Sequence, residues 1–125
     1  FKPKAAVKYV IRVKVKDSDN NVAVKEFTLN VYKPLKNNSK LSADSIKKGE
    51  TVNISCSSSG GLGTVTYAVS YRLYGKSNWT SLSDYSTNES VSFCPNTAEK
   101  YVIKVMAKDE NGTVVSKIAY LTVKK

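Results

Sequence analysis

The chain contains one segment twice. Residues 1–33 align without a gap with residues 93–125 at an offset of 92, and 15 of the 33 positions are identical. A repeat of this size is typical of a tandem array of one structural unit. We therefore expect residues 1–33 to be the C-terminal hairpin of a preceding repeat and residues 34–125 to be a complete repeat.

Both copies predict a β-hairpin. In the first copy, apolar residues at positions 9, 11, 13 and 15 alternate with basic residues, which is the period of a strand with one buried face. In the second copy the same alternation begins at Tyr101. Asn111 and Gly112 then separate it from a returning apolar series, and Asn-Gly between alternating runs is a strong hairpin signal.

The segment between the two copies adds further short strands. We interpret residues 34–39 as a linker and residues 57–63, SSSGGLG, as a flexible loop. With the closing hairpin this makes about seven strands separated by turns at regular spacing, with no helical periodicity. The sequence therefore predicts an all-β, antiparallel immunoglobulin- or fibronectin III-like β-sandwich. The predicted strands before the closing hairpin lie at residues 41–46, 52–56, 65–73, 79–82 and 91–93.

One stretch of this sequence resembles a known family. The run FCPNTAEKYVIKV at residues 93–105 is similar to the fibronectin type III pattern of an apolar residue, Pro, a short turn, then Tyr and alternating apolar residues. With YRLYG at residues 71–75 and with Trp79, residues 65–123 resemble the triple-tyrosine, Ig-like tandem repeats of bacterial surface and secreted proteins. The resemblance implies a sandwich fold, an extracellular or cell-surface location and no catalytic activity. Cys56 and Cys94 depart from it, since small or polar residues are expected there.

The net charge of +10 comes almost entirely from lysine, because only Arg12 and Arg72 are arginines. Base and phosphate recognition favours the planar arginine fork, so we expect no nucleic-acid partner. Lys100, Lys104 and Lys108 form a stripe on the solvent face of one strand. This stripe could attract glycans or anionic cell-wall polymers. A solvated strand face that prevents edge pairing explains it equally well.

Several residue types needed for catalysis or metal binding are missing. The chain has no histidine, and two cysteines cannot complete a tetrahedral zinc site. No serine has a partner base, and no glycine-rich loop precedes a helix. Residues 17–21, DSDNN, resemble the start of a calcium loop but lack its later Gly and Glu, so we interpret them as a hairpin turn. We expect no enzyme activity, no cofactor and no metal.

The aromatic residues divide into structural and exposed groups. Tyr101 follows a Pro-containing corner, which predicts a tyrosine corner with its ring buried. Trp79 is expected in the core, as are Tyr67 and Tyr71 on the inward register. Only two others are candidate ligand contacts, since flat aromatic faces can stack on sugar rings: Tyr74, in the opposite register, and Tyr85, in a predicted loop.

The two cysteines could form a disulfide or remain free. Cys56 ends the predicted second strand and Cys94 ends the fifth, and these strands are antiparallel neighbours in this fold. Their C-terminal ends then lie at opposite ends of the sheet, beyond the roughly 7 Å Cα separation that a disulfide tolerates. We predict two free thiols, with Cys56 buried.

These observations favour a non-catalytic spacer or adhesion module over the alternative, a carbohydrate- or cell-wall-polymer-binding module. The natural partners of a spacer are neighbouring repeats of the same chain. No stretch of 18 apolar residues is present, so we expect no direct membrane insertion and no leader within these residues.

The hairpin in residues 1–33 has an apolar face without covering strands, and an isolated hairpin is marginal in water. We therefore expect it to pair with or pack on the complete repeat, or to swap into another copy and form a dimer.

Overall fold

The computed structural model describes residues 1–125 and contains twelve β-strands and no helix. It therefore has no helix that is long and apolar enough to cross a membrane. The all-β class predicted from the alternating pattern is confirmed. Close contacts divide the chain into two compact units, residues 1–33 and residues 34–125.

The smaller unit is a two-stranded antiparallel hairpin made of β1 (Lys8–Lys16) and β2 (Val22–Asn30). The Asp17 carboxylate organises its turn, because Oδ1 accepts the backbone N–H groups of Asp19 and Asn21, both at 2.9 Å. Asn20 adopts a left-handed conformation with φ of 64°, which asparagine tolerates better than most residues. The predicted hairpin turn is confirmed.

The larger unit contains the other ten strands, arranged in two main sheets and one small sheet. A three-stranded sheet has the order β10-β6-β4, a five-stranded sheet the order β5-β12-β11-β8-β9, and β3 pairs with β7. The pairings are antiparallel except that between β5 and β12. The strands are β3 (Lys36–Asn37), β4 (Lys40–Leu41), β5 (Ser45–Lys47), β6 (Val52–Ser55), β7 (Ser58–Ser59), β8 (Thr66–Leu73), β9 (Thr80–Ser86), β10 (Ser90–Phe93), β11 (Lys100–Lys108) and β12 (Val114–Lys124).

The core lies between the two main sheets. Val52 and Ile54 of β6 are fully buried against the inward residues of the five-stranded sheet, which include Val69, Ile103 and Leu121. Burial of these side chains is the main favourable term that holds the sheets face to face. The larger unit is therefore a β-sandwich.

The closing hairpin of the sandwich has the same construction as the N-terminal hairpin. Tyr101 pairs with Leu121 as Tyr9 pairs with Leu29, and the whole register is shared at the offset of 92. Asp109 Oδ1 accepts the backbone N–H groups of residues 111 and 113, both at 3.0 Å. Residue 112 is a glycine with φ of 83° in the place of Asn20, as a three-residue loop of this type requires. The hairpin predicted from Asn-Gly is confirmed.

The linker predicted at residues 34–39 is wrong. Leu35, Asn37 and Ser39 are buried, and the segment contains β3. The Asn37 side-chain amide donates to the carbonyls of Val105 and Val115, both at 2.9 Å. These bonds satisfy a polar group inside the domain and tie the start of the unit to its closing hairpin. The predicted flexible loop at residues 57–63 likewise contributes β7 to this small sheet.

The single first strand predicted at residues 41–46 is also wrong, because the chain changes sheets there. β4 pairs with β6 in the three-stranded sheet, whereas β5 pairs with β12 in the other sheet. Residues 42–44 make the crossing, with Ser42 donating to the Asn53 carbonyl at 2.8 Å and Asp44 accepting from Thr122 at 2.9 Å. The segment predicted as one strand thus contributes to both main sheets.

Candidate functional site

The lysine stripe lies on the outer face of the five-stranded sheet. Along β11, Tyr101, Ile103 and Val105 point into the core, so Lys100, Lys104 and Lys108 lie on the opposite face. Neighbouring lysines are four residues apart, which is about 13 Å along a strand. Each of the three ammonium groups contacts an aromatic ring on this face.

Lys100 lies between two tyrosines, Tyr120 of β12 and Tyr74 in the turn that directly follows β8. Its Nζ is 4.4 Å from the ring centroid of Tyr74 and 5.4 Å from that of Tyr120. The two rings meet edge to face with centroids 6.2 Å apart. Tyr74 is 59% exposed and Tyr120 is 52% exposed, so both rings remain open to solvent while they attract the cation.

Lys104 contacts Trp79, with its Nζ 4.3 Å from the ring centroid. The guanidinium carbon of Arg72 is 5.1 Å from the same centroid. The prediction that Trp79 lies in the core is therefore wrong, since the side chain is 38% exposed. The reason is strand parity. Thr80 pairs with Tyr71, which packs against the core, and the residue before Thr80 faces outward.

Lys108 completes the series at the far end of β11. Its Nζ is 5.1 Å from the ring centroid of Tyr85, and the Tyr85 hydroxyl donates to Met106 Sδ at 3.8 Å. The prediction of a loop at Tyr85 is wrong, because the residue lies in β9, and its ring is 36% exposed. The structure thus brings together all five predicted ligand-contact residues, Tyr74, Tyr85, Lys100, Lys104 and Lys108, on one face.

Tyr120 also lies on this face, although it is not among the predicted ligand contacts. The signal was available, because the alternating pattern assigns Ala119 and Leu121 to the inward face of the last strand and Tyr120 lies between them. The cross-strand partner could not be read from the sequence, since Tyr120 reaches Tyr74 only across β11.

The charges of this face are not neutralised by carboxylates. Lys100, Lys104 and Lys108 make contacts with aromatic rings and no ion pair within 4.0 Å. In the N-terminal hairpin the residue equivalent to Lys104 is Arg12, which pairs with Glu26 at 3.0 Å. The outer face of the five-stranded sheet therefore presents uncompensated positive charge beside exposed rings.

Tyr101 lies apart from this face and has a structural role. The ring is buried against Tyr71 and Phe93, and the hydroxyl bonds the side-chain hydroxyl of Thr97 and lies 3.5 Å from the Thr97 carbonyl. Tyr9 makes the equivalent bond to a residue four positions earlier, at 3.3 Å. This is the geometry expected of a tyrosine corner.

The cysteines are free, as predicted, with Cys56 buried and Cys94 exposed. In the β6–β10 pair, Ser55 lies opposite Ser90 and Val52 opposite Phe93, which places the two thiols at opposite ends of the pair. Burial raises the pKa of the Cys56 thiol, and the charge of Glu89 raises it further. Cys56 is therefore an unreactive core residue.

No group of three or more acidic or cysteine side chains lies close enough to hold a metal ion. The Asp17 carboxylate of the calcium-like segment is used by its own turn, since Oδ2 accepts a hydrogen bond from the Asn21 side-chain amide at 3.1 Å.

No protein-family model matches the chain, and comparison with curated proteins gives no match. The repeated hairpin and the outer face of the five-stranded sheet are the two features from which a function can be argued.

Proposed function

We propose that this chain is a non-catalytic, Ig-like spacer or adhesion module of a multidomain bacterial cell-surface or secreted protein. The observation that carries the proposal is the hairpin built twice with one register, one turn and one tyrosine corner. A unit repeated in series extends a protein by a fixed increment per copy. Such a module acts by holding other domains at a distance.

The identities between the two copies support a structural role. They include the corner tyrosines Tyr9 and Tyr101 and the turn aspartates Asp17 and Asp109, all of which build the hairpin. The exposed ring of Tyr120 has no aromatic counterpart, because the equivalent residue is Thr28. These repeated residues build the scaffold, although the lysine stripe is also repeated in part, since Lys8 and Lys16 match Lys100 and Lys108. The absence of histidine from the sequence further favours a non-catalytic role.

The joint between successive units is short. β2 ends at Asn30, and Leu35 is already part of the core of the next unit. Pro34 restricts the backbone within this joint. A short joint with a proline limits the reach of the connection between modules, as a spacer requires.

The parallel pairing of β5 with the last strand, β12, suits a module that carries load. Thr122 donates to the Asp44 carbonyl at 2.9 Å, and Lys48 donates to the Lys124 carbonyl at 2.7 Å. When two parallel strands are pulled at opposite ends, they slide along each other, and their hydrogen bonds are loaded together. This pairing resists extension better than a pair that opens one bond at a time.

Single-molecule stretching of the full chain tests this role. Lys48→Pro removes the donor to Lys124, whereas Lys48→Ala keeps the backbone N–H and serves as the matched control. We expect the proline variant to unfold at a clearly lower force than the alanine variant. Equal unfolding forces would show that the β5–β12 pairing carries no load and would remove this support for a spacer.

A second candidate function is binding of carbohydrate or cell-wall polymer. The specific observation in its favour is the set of exposed rings on the outer face of the five-stranded sheet. Flat rings that are partly open to solvent can stack on the apolar face of a sugar. Lysines beside them supply donors to ligand oxygens.

A glycan and cell-wall-polymer array separates the two functions. A pure spacer shows no binding that persists above roughly physiological salt, where surface charges are screened. A binding module shows salt-resistant binding that Tyr74→Ala abolishes. Tyr32→Ala is the matched control, because Tyr32 is a partly exposed tyrosine of the N-terminal unit. Salt-resistant binding lost only in the Tyr74 variant would overturn the spacer-only view.

A further inference from the structure

We infer that the outer face of the five-stranded sheet binds a linear acidic polysaccharide, one that carries carboxylates on its sugar rings, along the direction of β11. This inference rests on the second candidate function and names its ligand class. Three ammonium–aromatic clusters carry the argument. They are Lys100 with Tyr74 and Tyr120, Lys104 with Trp79 and Arg72, and Lys108 with Tyr85.

The ammonium groups of these clusters are held against aromatic rings, and no carboxylate neutralises their charge. Each lies 4.3 to 5.1 Å from its nearest ring centroid, and none is paired with a carboxylate. An ammonium has three N–H donors, and a ring contact uses none of them as a conventional hydrogen bond. A lysine already held by a ring loses less side-chain freedom when an anion binds. The clusters are therefore organised for anionic groups before any ligand arrives.

The clusters are also arranged in a line. From Lys100 to Lys108 the strand rises about 26 Å, so the Cα atoms of neighbouring lysines in the stripe are about 13 Å apart. A small anion could occupy only one cluster at a time. A linear polymer laid along β11 reaches all three, and simultaneous contacts of this kind raise overall affinity without any single strong site.

In every cluster an ammonium group lies over a ring that stays partly exposed, so that charge and ring are adjacent, which favours one polymer chemistry. In a uronate the carboxylate is attached to the same pyranose ring that would stack, so one sugar unit satisfies both parts of a cluster. In a nucleotide the ribose separates phosphate from base, and a polyol phosphate has no flat ring to stack. The scarcity of arginine points in the same direction, because phosphate recognition favours the arginine fork.

Trp79 makes the inference directly testable, because it is the only tryptophan of the chain and lies in the central cluster. Polygalacturonate is titrated into the full chain at low salt while tryptophan emission is followed. The fully methyl-esterified polymer has the same backbone without the charges, and single-stranded DNA is a polyanion of different geometry. We expect a saturable emission change with polygalacturonate and at least about tenfold weaker binding of the other two polymers, as expected when charge and ring contacts are both required.

Paired charge variants test the location of the site. Lys104→Gln removes a charge from the central cluster, and we expect about a threefold to tenfold loss of affinity from one lost charged contact. Lys25→Gln removes the same charge and a similar ring contact, with Phe27, from the N-terminal unit, and should change affinity by less than about twofold, because this charge lies outside the proposed face. Trp79→Ala, followed by calorimetry, should lose binding while unfolding cooperatively.

The outcomes separate the inference from the function on which it rests. Equal binding of the methyl ester would overturn the acidic ligand but leave carbohydrate binding standing. Equal binding of DNA, or equal losses in the Lys104 and Lys25 variants, would show a general attraction to polyanions and overturn the site. No response to any polymer would overturn both the inference and the binding function, and would leave the spacer proposal alone.

Discussion

The two hairpins of this protein have the same construction and opposite burial. β1 and β2 share the register of β11 and β12, yet Ile103 is completely buried whereas Val13 and Phe27 of the N-terminal hairpin are close to half exposed. The difference comes from the strands that cover each apolar face. A hairpin's shape therefore follows from its own residues, whereas its stability depends on what packs against it.

The turn aspartates show the same contrast on a smaller scale. Asp109 is buried, and its Oδ2 accepts the backbone N–H of Leu62 at 3.1 Å, which ties the loop before β8 to the hairpin. Asp17 is exposed, and its Oδ2 accepts the neighbouring Asn21 side chain instead. The turn aspartate thus makes a long-range hydrogen bond in the second copy and only local hydrogen bonds in the first.

The largest expected difference is between Ile103→Ala and Ile11→Ala, at equivalent positions of the two copies. Ile103→Ala should lower the free energy of unfolding of the larger unit by about 2–5 kcal/mol, because it leaves a cavity in the core. Ile11→Ala should leave that transition unchanged. Denaturant unfolding followed by Trp79 emission measures both, and an equal loss in the two variants would contradict the division into two units.

The next largest difference is between Asp109→Ala and Asp17→Ala. The Asp109 change leaves the N–H groups of Leu62, Asn111 and Thr113 without this acceptor, so the larger unit should lose about 1–3 kcal/mol of stability. The Asp17 change should not shift the same transition. Thermal unfolding of both variants provides the test. An Asp109→Ala variant with an unchanged unfolding temperature would show that these hydrogen bonds contribute nothing to stability.

A smaller effect is expected from removing the corner hydroxyls. Tyr101→Phe should destabilise the larger unit by about 1 kcal/mol, since it removes a partly buried hydrogen bond to Thr97 and keeps the ring. Tyr9→Phe is the matched control in the hairpin. Chemical denaturation distinguishes them. Full stability of Tyr101→Phe would mean that packing of the ring alone maintains the corner.

The smallest effect concerns the pH dependence of the N-terminal turn. Hydrogen bonds from the Asn21 backbone and side chain lower the pKa of Asp17 below its ordinary 3.8. The charged carboxylate therefore stabilises the turn at all pH values above 3.8, and this contribution is lost as pH falls through the lower folded-state pKa. Amide NMR signals of Asp19 and Asn21 should titrate with a midpoint below 3.8. A midpoint at or above that value would contradict the bonded turn, and Asp17→Ala should abolish the titration.

Much of the fold could be predicted because it depends on short-range patterns. Alternating residues and turn aspartates specify both hairpins, and strand order made the free cysteines predictable. The segment 34–39 could not be assigned in this way. Its polar composition indicates a linker, and only the carbonyls of Val105 and Val115, far away along the chain, make Asn37 a buried residue.

The candidate site was predictable in part. Strand parity alone is enough to place Tyr74 and the three lysines of β11 on an outer face. It is not enough at Trp79, because Trp79 begins a short predicted strand, where a large aromatic side chain is expected to be buried in the core. The register of β9 against β8 decides its direction, and this register contains irregularities between Val69 and its neighbours that sequence alone does not reveal.

The sequence by itself determined the repeated hairpin, its register, its turns and its tyrosine corners, because these depend on residues that lie close together along the chain. Only the tertiary structure decided which hairpin is covered, where Asn37 and Trp79 lie, and which rings meet each lysine. Burial and cross-strand contact depend on partners brought from distant parts of the chain. The alternating pattern gives a residue its side of the strand, and the neighbouring strands determine what it meets there.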